Sequence, residues 1–271
     1  MLHDGYYDKI YFRFWHVEEA IANVFAIHGL GGHSVWFDNA AKIFNNSKIN
    51  FFSFDLPGFG QSKYQIGTID SYKTWISSTR EALKFFLIRF NINKPVFILG
   101  HSMGAMIAIL LSRNVKANGW ILTVPGFEGY YKTWPFLGFI LPVLFKSVIK
   151  PHEEIIVPFG PELLTKNKET QLQLKKDPYR VIKPAAKVFM EVYFLTLKAK
   201  QLCENMNGSV LLLMAGDDRV CSNSAMEEHF NKIKTQNKSK KNYPGFYHDL
   251  FIEDEVSIVV KDISAWIKDH L

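Results

Sequence analysis

Along the first half of the chain, short blocks of apolar residues alternate with longer stretches whose apolar positions recur at helical spacing. Lys9–Trp15 alternates and predicts a strand; Ile21–Ile27 predicts a second, running into His28-Gly29-Leu30-Gly31-Gly32. Trp36–Phe44 predicts a short helix, Ile49–Phe54 a strand, and Ser71–Phe90 a long amphipathic helix. Pro95–Leu99 reads as a buried strand, Met103–Ser112 as an apolar helix, and Trp120–Val124 as another strand. Short apolar strands separated by helices describe an α/β protein with an open, mostly parallel sheet covered on both faces.

The rhythm breaks after Pro125. From Gly126 to Asn207 the sequence offers aromatics, prolines and one helical run over Pro184–Gln201, with no strand–helix alternation. The pattern resumes with a strand at Val210–Met214, a helix at Ser222–Ile233, a strand at Lys240–Tyr243 and a closing helix at Val256–Asp269. The expected organisation is therefore a core made of residues 1–125 and 208–271, with residues 126–207 inserted as a cap over the sheet.

Composition narrows the class. With 271 residues, 48% apolar and 21% charged, the chain suits one large globular domain or one domain with an insertion. The net charge of +6 is spread along the chain, and the densest basic run is Lys238-Ser239-Lys240-Lys241, so no nucleic-acid partner is expected. Two cysteines, Cys203 and Cys221, supply neither a disulfide framework nor zinc-ligand spacing, and no metal or cofactor is expected. The first residues carry an early acid and no apolar h-region, and no uninterrupted apolar run is long enough to span a bilayer. The expectation is a soluble, cytoplasmic protein.

Candidate chemistry centres on Gly100-His101-Ser102-Met103-Gly104. This string fits the G-x-S-x-G nucleophile elbow and sits between a predicted strand and a predicted helix, where that pattern belongs. Glycines on either side make room for the sharp turn, and amides at the helix start can face developing negative charge. A serine hydroxyl needs a base to take its proton, and the base needs a third group to orient it. In this architecture the acid and then the histidine follow the nucleophile in sequence. His152 falls in the inserted block, His229 within a helix and His270 at the C-terminus, which leaves His248, between the last strand and the last helix. The acid should follow Val210–Met214, where Asp217 and Asp218 are both candidates and Asp218 is favoured; Asp249 reads as a helix cap. The oxyanion is expected to be met by the backbone N–H groups of Met103 and Leu30. The His28–Gly32 stretch lacks the Lys-Ser/Thr of a P-loop and the G-x-G-x-x-G spacing of a dinucleotide site. Asp55, Gly58, Gly60 and Ser62 read as a structural turn beneath the site, and Cys221 as a packing residue near it.

Taken together, these residues resemble the serine α/β-hydrolases, and among them the monoacylglycerol lipase and lysophospholipase group. The resemblance rests on His28-Gly29 with His33-Ser34 beyond, on Asp55-x-x-Gly58-x-Gly60-x-Ser62, on the elbow, on Asp218-Arg219-Val220-Cys221 and on His248. Leu164-Thr165-Lys166-Asn167-Lys168 and Asp177-Pro178 are similar to the cap of monoacylglycerol lipases. It covers nearly the whole chain and implies hydrolysis of a single-chain acyl ester through an acyl-enzyme. The near rivals are a lysophospholipase, short-chain carboxylesterase, thioesterase or peptidase; a ligand-binding protein with little turnover is the rival of a different class.

The longest apolar stretch, Trp134–Phe145, is broken by two prolines and a glycine and followed by Lys146 and Lys150. It reads either as a lid making peripheral contact with a membrane or as a cap segment packed on the core or a dimer contact, with the second reading favoured for most of its side chains. Trp134, Phe136 and Phe139 are candidate substrate-binding residues on this stretch.

Overall fold

The computed structural model describes residues 1–132 and 135–271. Eight strands form one sheet: β1 Leu2–Tyr7, β2 Ile10–Trp15, β3 Ala22–Ile27, β4 Ile49–Phe54, β5 Val96–His101, β6 Gly119–Thr123, β7 Ser209–Ala215 and β8 Lys238–Tyr243. Their spatial order is β1-β2-β4-β3-β5-β6-β7-β8. Strands β1 and β2 run antiparallel at one edge, and every pair from β4 to β8 is parallel. Each parallel crossover carries its chain across a face of the sheet, so both faces are covered. The central strands β3 and β4 are consequently buried at every position, which is why they read in the sequence as unbroken apolar runs.

Helices α1 Asp38–Asn46, α2 Tyr72–Arg89, α3 Met103–Leu111, α8 Asn223–Lys232 and α9 Val256–Lys268 flank the sheet. Helix α2 starts where Ser71 Oγ accepts the Lys73 amide, satisfying one of the donors a helix start leaves open. The expected Trp36–Phe44 helix begins instead with a tight turn over Ser34–Phe37 before α1, because the Ser34 amide is held by Asp55 Oδ1 at 2.7 Å. The N-terminal strand β1 was not anticipated: Leu2–Tyr7 is polar and mostly exposed, and it pairs only along one edge of β2.

Residues 136–205 carry no strand. They hold a π-helical turn Phe136–Ile140, α4 Leu141–Ile149, α5 Pro161–Leu164, α6 Lys168–Lys176 and α7 Ala186–Leu202. Helix α7 packs on both α3 and α4 and carries the buried residues Val188, Phe189, Leu195 and Ala199. Backbone bonds tie this block down at separate points: Val181 N–H to Gly31 O at 3.0 Å, Ala185 N–H to Gly67 O at 2.8 Å and Asp249 N–H to Leu164 O at 2.8 Å.

The apolar stretch leading into α4 divides between two faces. Val143 is buried and Phe139, Ile140 and Leu144 are partly covered, whereas Leu137, Leu141 and Phe145 are exposed, Phe145 by 65%. Val148 and Ile149 continue the outer face. Packing thus accounts for the inner half only. Trp134 lies outside the described residues, as does the side chain of Phe136. Among the described residues no helix is long and apolar enough to cross a membrane, and no cluster of side chains is arranged to hold a metal ion.

Candidate active site

The end of β5 turns sharply into α3 at Ser102, whose φ of 53° and ψ of −114° lie in a sparsely populated region. For a residue with a side chain this costs about 1–3 kcal/mol, so neighbours must hold it. The Ser102 amide donates to Thr123 O on β6 at 2.9 Å, and the Ser102 carbonyl accepts the Ala105 amide at 3.0 Å. Close approach explains the flanking glycines. A Cβ on Gly100 would meet the Gly104 carbonyl, and one on Gly104 would meet the carbonyl of Ile27 on β3.

The bend aims Ser102 at the loop after β8. Ser102 Oγ lies 3.1 Å from Nε2 of His248, and Nδ1 of His248 lies 2.8 Å from Oδ2 of Asp218. The other oxygen of Asp218 accepts the Val220 and Cys221 amides, each at 2.8 Å, so the carboxylate cannot turn away. Asp217, the rival candidate, is exposed, and its amide donates to Phe246 O. The imidazole of His248 is buried, which pulls its pKa down, but the charge and hydrogen bond of Asp218 and the charge of Asp249 outweigh this and leave it raised. The Nδ1–H tautomer follows from the carboxylate on that side, leaving Nε2 free to accept the serine proton.

Leu30 and Met103 both line the cavity at Ser102. Met103 is the first residue of α3, where a helix leaves its backbone N–H groups without an intrahelical acceptor. The loop carrying Leu30 is held from beneath by His28, whose Nδ1–H donates to Gly29 O at 2.8 Å while Nε2 accepts the Leu56 amide at 2.9 Å. Both bonds need the neutral ring, and burial accordingly lowers its pKa to about 4. Asp55 accepts the Ser34 and Gln61 amides, each at 2.7 Å, and so joins the loop after β4 to the same segment.

The cavity above Ser102 has a volume of about 480 Å³. Its walls are apolar: Phe127, Phe139, Val143, Leu144, Phe189 and Val192 are among them. The charged side chains on the wall are Glu128 and Lys200, paired with Oε1 2.6 Å from Nζ, and Asp249; the imidazoles of His101 and His248 also border it. Cys221 also borders the cavity; burial raises its thiol well above its ordinary value, so it stands as a neutral neighbour of Ser102.

Of the three aromatic candidates for substrate contact, Phe139 lines this cavity. The wall contributed by α7 was not singled out in the sequence, although Phe189, Val192, Tyr193 and Leu197 recur at helical spacing and face one way. Two buried groups beside Ser102 had no part in the chemistry expected from the sequence, where His101 stood only within the elbow and Asp249 read as a helix cap. His101 stands with its Nε2 3.5 Å from Oδ2 of Asp249.

A parallel sheet with two antiparallel edge strands, a strained serine between β5 and α3, and a histidine after the last strand define the α/β-hydrolase fold. The chain belongs to the Hydrolase_4 family, described as serine aminopeptidase, S33, whose model matches residues 18–255. It is 25% identical over 265 residues to phospholipase YtpA of Bacillus subtilis, covering 95% of this chain and 99% of that protein. It is 24% identical over 280 residues to the monoglyceride lipase of Homo sapiens, covering 98% of this chain and 88% of that one. The structure of a soluble variant of monoglyceride lipase from Saccharomyces cerevisiae, in complex with a substrate analog, superposes with a TM-score of 0.89 at 21% identity, covering 100% of this chain and 94% of the other.

Proposed function

We propose that this protein is a carboxylic ester hydrolase acting on single-chain acyl esters, with monoacylglycerols as its principal substrates. The observation that carries this reading is the contact of Ser102 with His248, and of His248 with Asp218, on the floor of an apolar cavity of about 480 Å³. Ser102 Oγ attacks the ester carbonyl while His248 Nε2 takes its proton, and the Leu30 and Met103 amides receive the oxyanion. His248 then gives the proton to the departing alcohol. Water, activated by the same nitrogen, cleaves the acyl-enzyme and restores Ser102. Asp218 holds the imidazole in its tautomer and stabilises the cation that forms at each transfer.

The apolar wall suits a fatty acyl chain better than a peptide. An aminopeptidase needs a carboxylate to meet the substrate's ammonium group; of the two on the wall, Glu128 is bound to Lys200 and Asp249 is buried against His101. The exposed face of Leu137, Leu141, Phe145, Val148 and Ile149 serves, in this reading, as a peripheral contact with lipid from which the acyl ester is drawn. Lys146 and Lys150 stand at its border, both close to Glu153.

The test is fatty-acid release from a long-chain monoacylglycerol, measured beside a lysophospholipid and a short-chain ester, with Ser102→Ala as control. Preference for the monoacylglycerol, abolished in the variant, is the expected result. Preference for the lysophospholipid moves the substrate class. Turnover of the short ester alone rules out the lipid assignment, and turnover that survives Ser102→Ala rules out the mechanism.

A further inference from the structure

His248 is followed directly by a second acid that the reaction scheme above leaves unused. Asp249 is 2% exposed. Its Oδ1 accepts the Phe251 amide at 3.0 Å, and its Oδ2 lies 3.5 Å from His101 Nε2. No lysine or arginine is placed against it among the described residues. A buried carboxylate without a cationic partner is expensive to keep unless something uses its charge. Asp249 does not cap a helix, contrary to the expectation from sequence, because α9 begins at Val256 behind Glu255; holding the Phe251 amide in this turn needs only an oxygen, which serine or asparagine supplies.

Among the described residues, the titratable side chain that touches Asp249 is His101, and that ring is neutral. It is buried, and burial lowers its pKa to about 4 against the pull of the Asp249 charge. Its single N–H belongs on Nε2, beside the carboxylate; Nδ1 lies 3.3 Å from Thr123 Oγ1, whose own hydrogen goes to Gly100 O at 3.1 Å. The Asp249 charge is therefore not cancelled. The His101 and His248 rings lie side by side, their centroids 5.4 Å apart. His248 is thus flanked by Asp218 on the loop after β7, by Asp249 on its own loop, and by the neutral groups His101, Ser102 and Cys221. Arg219 lies outside this shell, over the ring of Tyr247, and Glu253 is turned away to hold the Tyr247 amide.

We propose that Asp249 is a positioning residue for the hydrolytic reaction: its buried, uncancelled carboxylate is a second negative charge that stabilises the His248 imidazolium as Ser102 gives up its proton. The inference rests on the proposed role of His248 as general base. It also gives the cap a hold on that base, since the Asp249 amide donates to Leu164 O on α5 at 2.8 Å.

The experiment is a pH titration of the His248 Cε1 proton by NMR, in the wild type and in Asp249→Asn, together with kcat/KM for a short-chain ester across the same pH range. The His248 signal is assigned by its loss in His248→Gln. Asp249→Asn should move the His248 midpoint, and with it the acid limb of kcat/KM, down by about half a pH unit or more, and should lower kcat with little change in KM. Asp249→Ser, which keeps an oxygen for the Phe251 amide, should behave alike, and Asp249→Glu, which keeps the charge, should stay near the wild-type midpoint. An unmoved or raised midpoint in both neutral variants overturns the proposal, as does an equal downward shift in Asp249→Glu. Reading the NMR signal does not require activity, so a weak variant is still informative. Labelling by a fluorophosphonate, lost in Ser102→Ala, tests the underlying reading separately. Unlabelled wild type removes the hydrolase; labelled wild type with an unmoved titration removes only the role of Asp249.

Discussion

Nε2 of His33 lies 2.8 Å from Oδ2 of Asp177, and the same oxygen accepts Trp36 Nε1–H at 3.0 Å. His33 belongs to the loop after β3, which carries Leu30; Asp177 follows α6 in the strandless block. One carboxylate thus fastens the segment above the cavity to the segment beneath it, close to the backbone bond between Val181 and Gly31. Burial on its own would raise the Asp177 carboxyl, but the hydrogen bonds and charge it receives from His33, with Trp36 and the Tyr179 amide, hold it at about 2.

A depressed carboxylate stabilises the fold above its unfolded value and loses that effect as pH falls through its folded one. Asp177→Asn should therefore melt at a lower temperature than the wild type near neutral pH. The difference should close as pH drops from about 4 to about 2. Thermal unfolding followed by circular dichroism across that range checks this; a constant difference would assign the loss to shape and not to charge.

His28 and His101 are both held neutral by burial, each at about 4 against an ordinary value of 6.5. Unfolding lets them bind protons, so stability should fall as pH drops from 6.5 towards 4, a window above that of Asp177. His28→Gln should be less stable near neutral pH, having lost one of two loop-joining bonds, and should show a shallower decline across this window. Urea unfolding midpoints at successive pH values give the comparison.

In its proposed role as general base, His248 must be neutral at Nε2, so kcat/KM should rise with pH through its raised value. Asp218→Asn removes the carboxylate that fixes the tautomer and holds the cation. It should lower kcat by about 10⁴-fold while leaving thermal stability close to that of the wild type. A loss of less than tenfold would argue that another acid orients the ring.

The outer face of α4 offers a separable test. Replacing the exposed Leu141 and Phe145 with serine should weaken sedimentation with liposomes, most clearly with anionic ones, given Lys146 and Lys150 at the border. Turnover of a water-soluble short ester should be unchanged, because neither side chain borders the cavity. Unchanged liposome binding would remove the membrane contact from the proposal.

Much of the frame was legible because it is local. Ile49–Phe54 matches β4 residue for residue, and Ser71–Phe90 brackets α2 together with its capping serine. Buried parallel strands are apolar throughout, and helices carry their own period, so each announces itself without its neighbours. Strand β1 did not, because an exposed edge strand needs no apolar face. The helices α5 and α6 were also missed: the first is a single turn and the second is mostly polar, so neither carries a strong apolar stripe.

By itself the sequence determined the α/β alternation, the strand–serine–helix turn and the order of acid and histidine behind it, since these depend on residue type and short spacing. Tertiary structure alone decided which acid meets the base. Asp217 and Asp218 are adjacent in the chain, and only the path of the loop after β7 buries one against His248 and exposes the other. It also decided that Asp249 lies beside a neutral His101, that His33 reaches across 144 positions to Asp177, and that the apolar stretch before Lys146 divides into a cavity wall and an exposed face. Burial and contact between distant segments set these relationships, and a pattern read along one strand or one helix does not contain them.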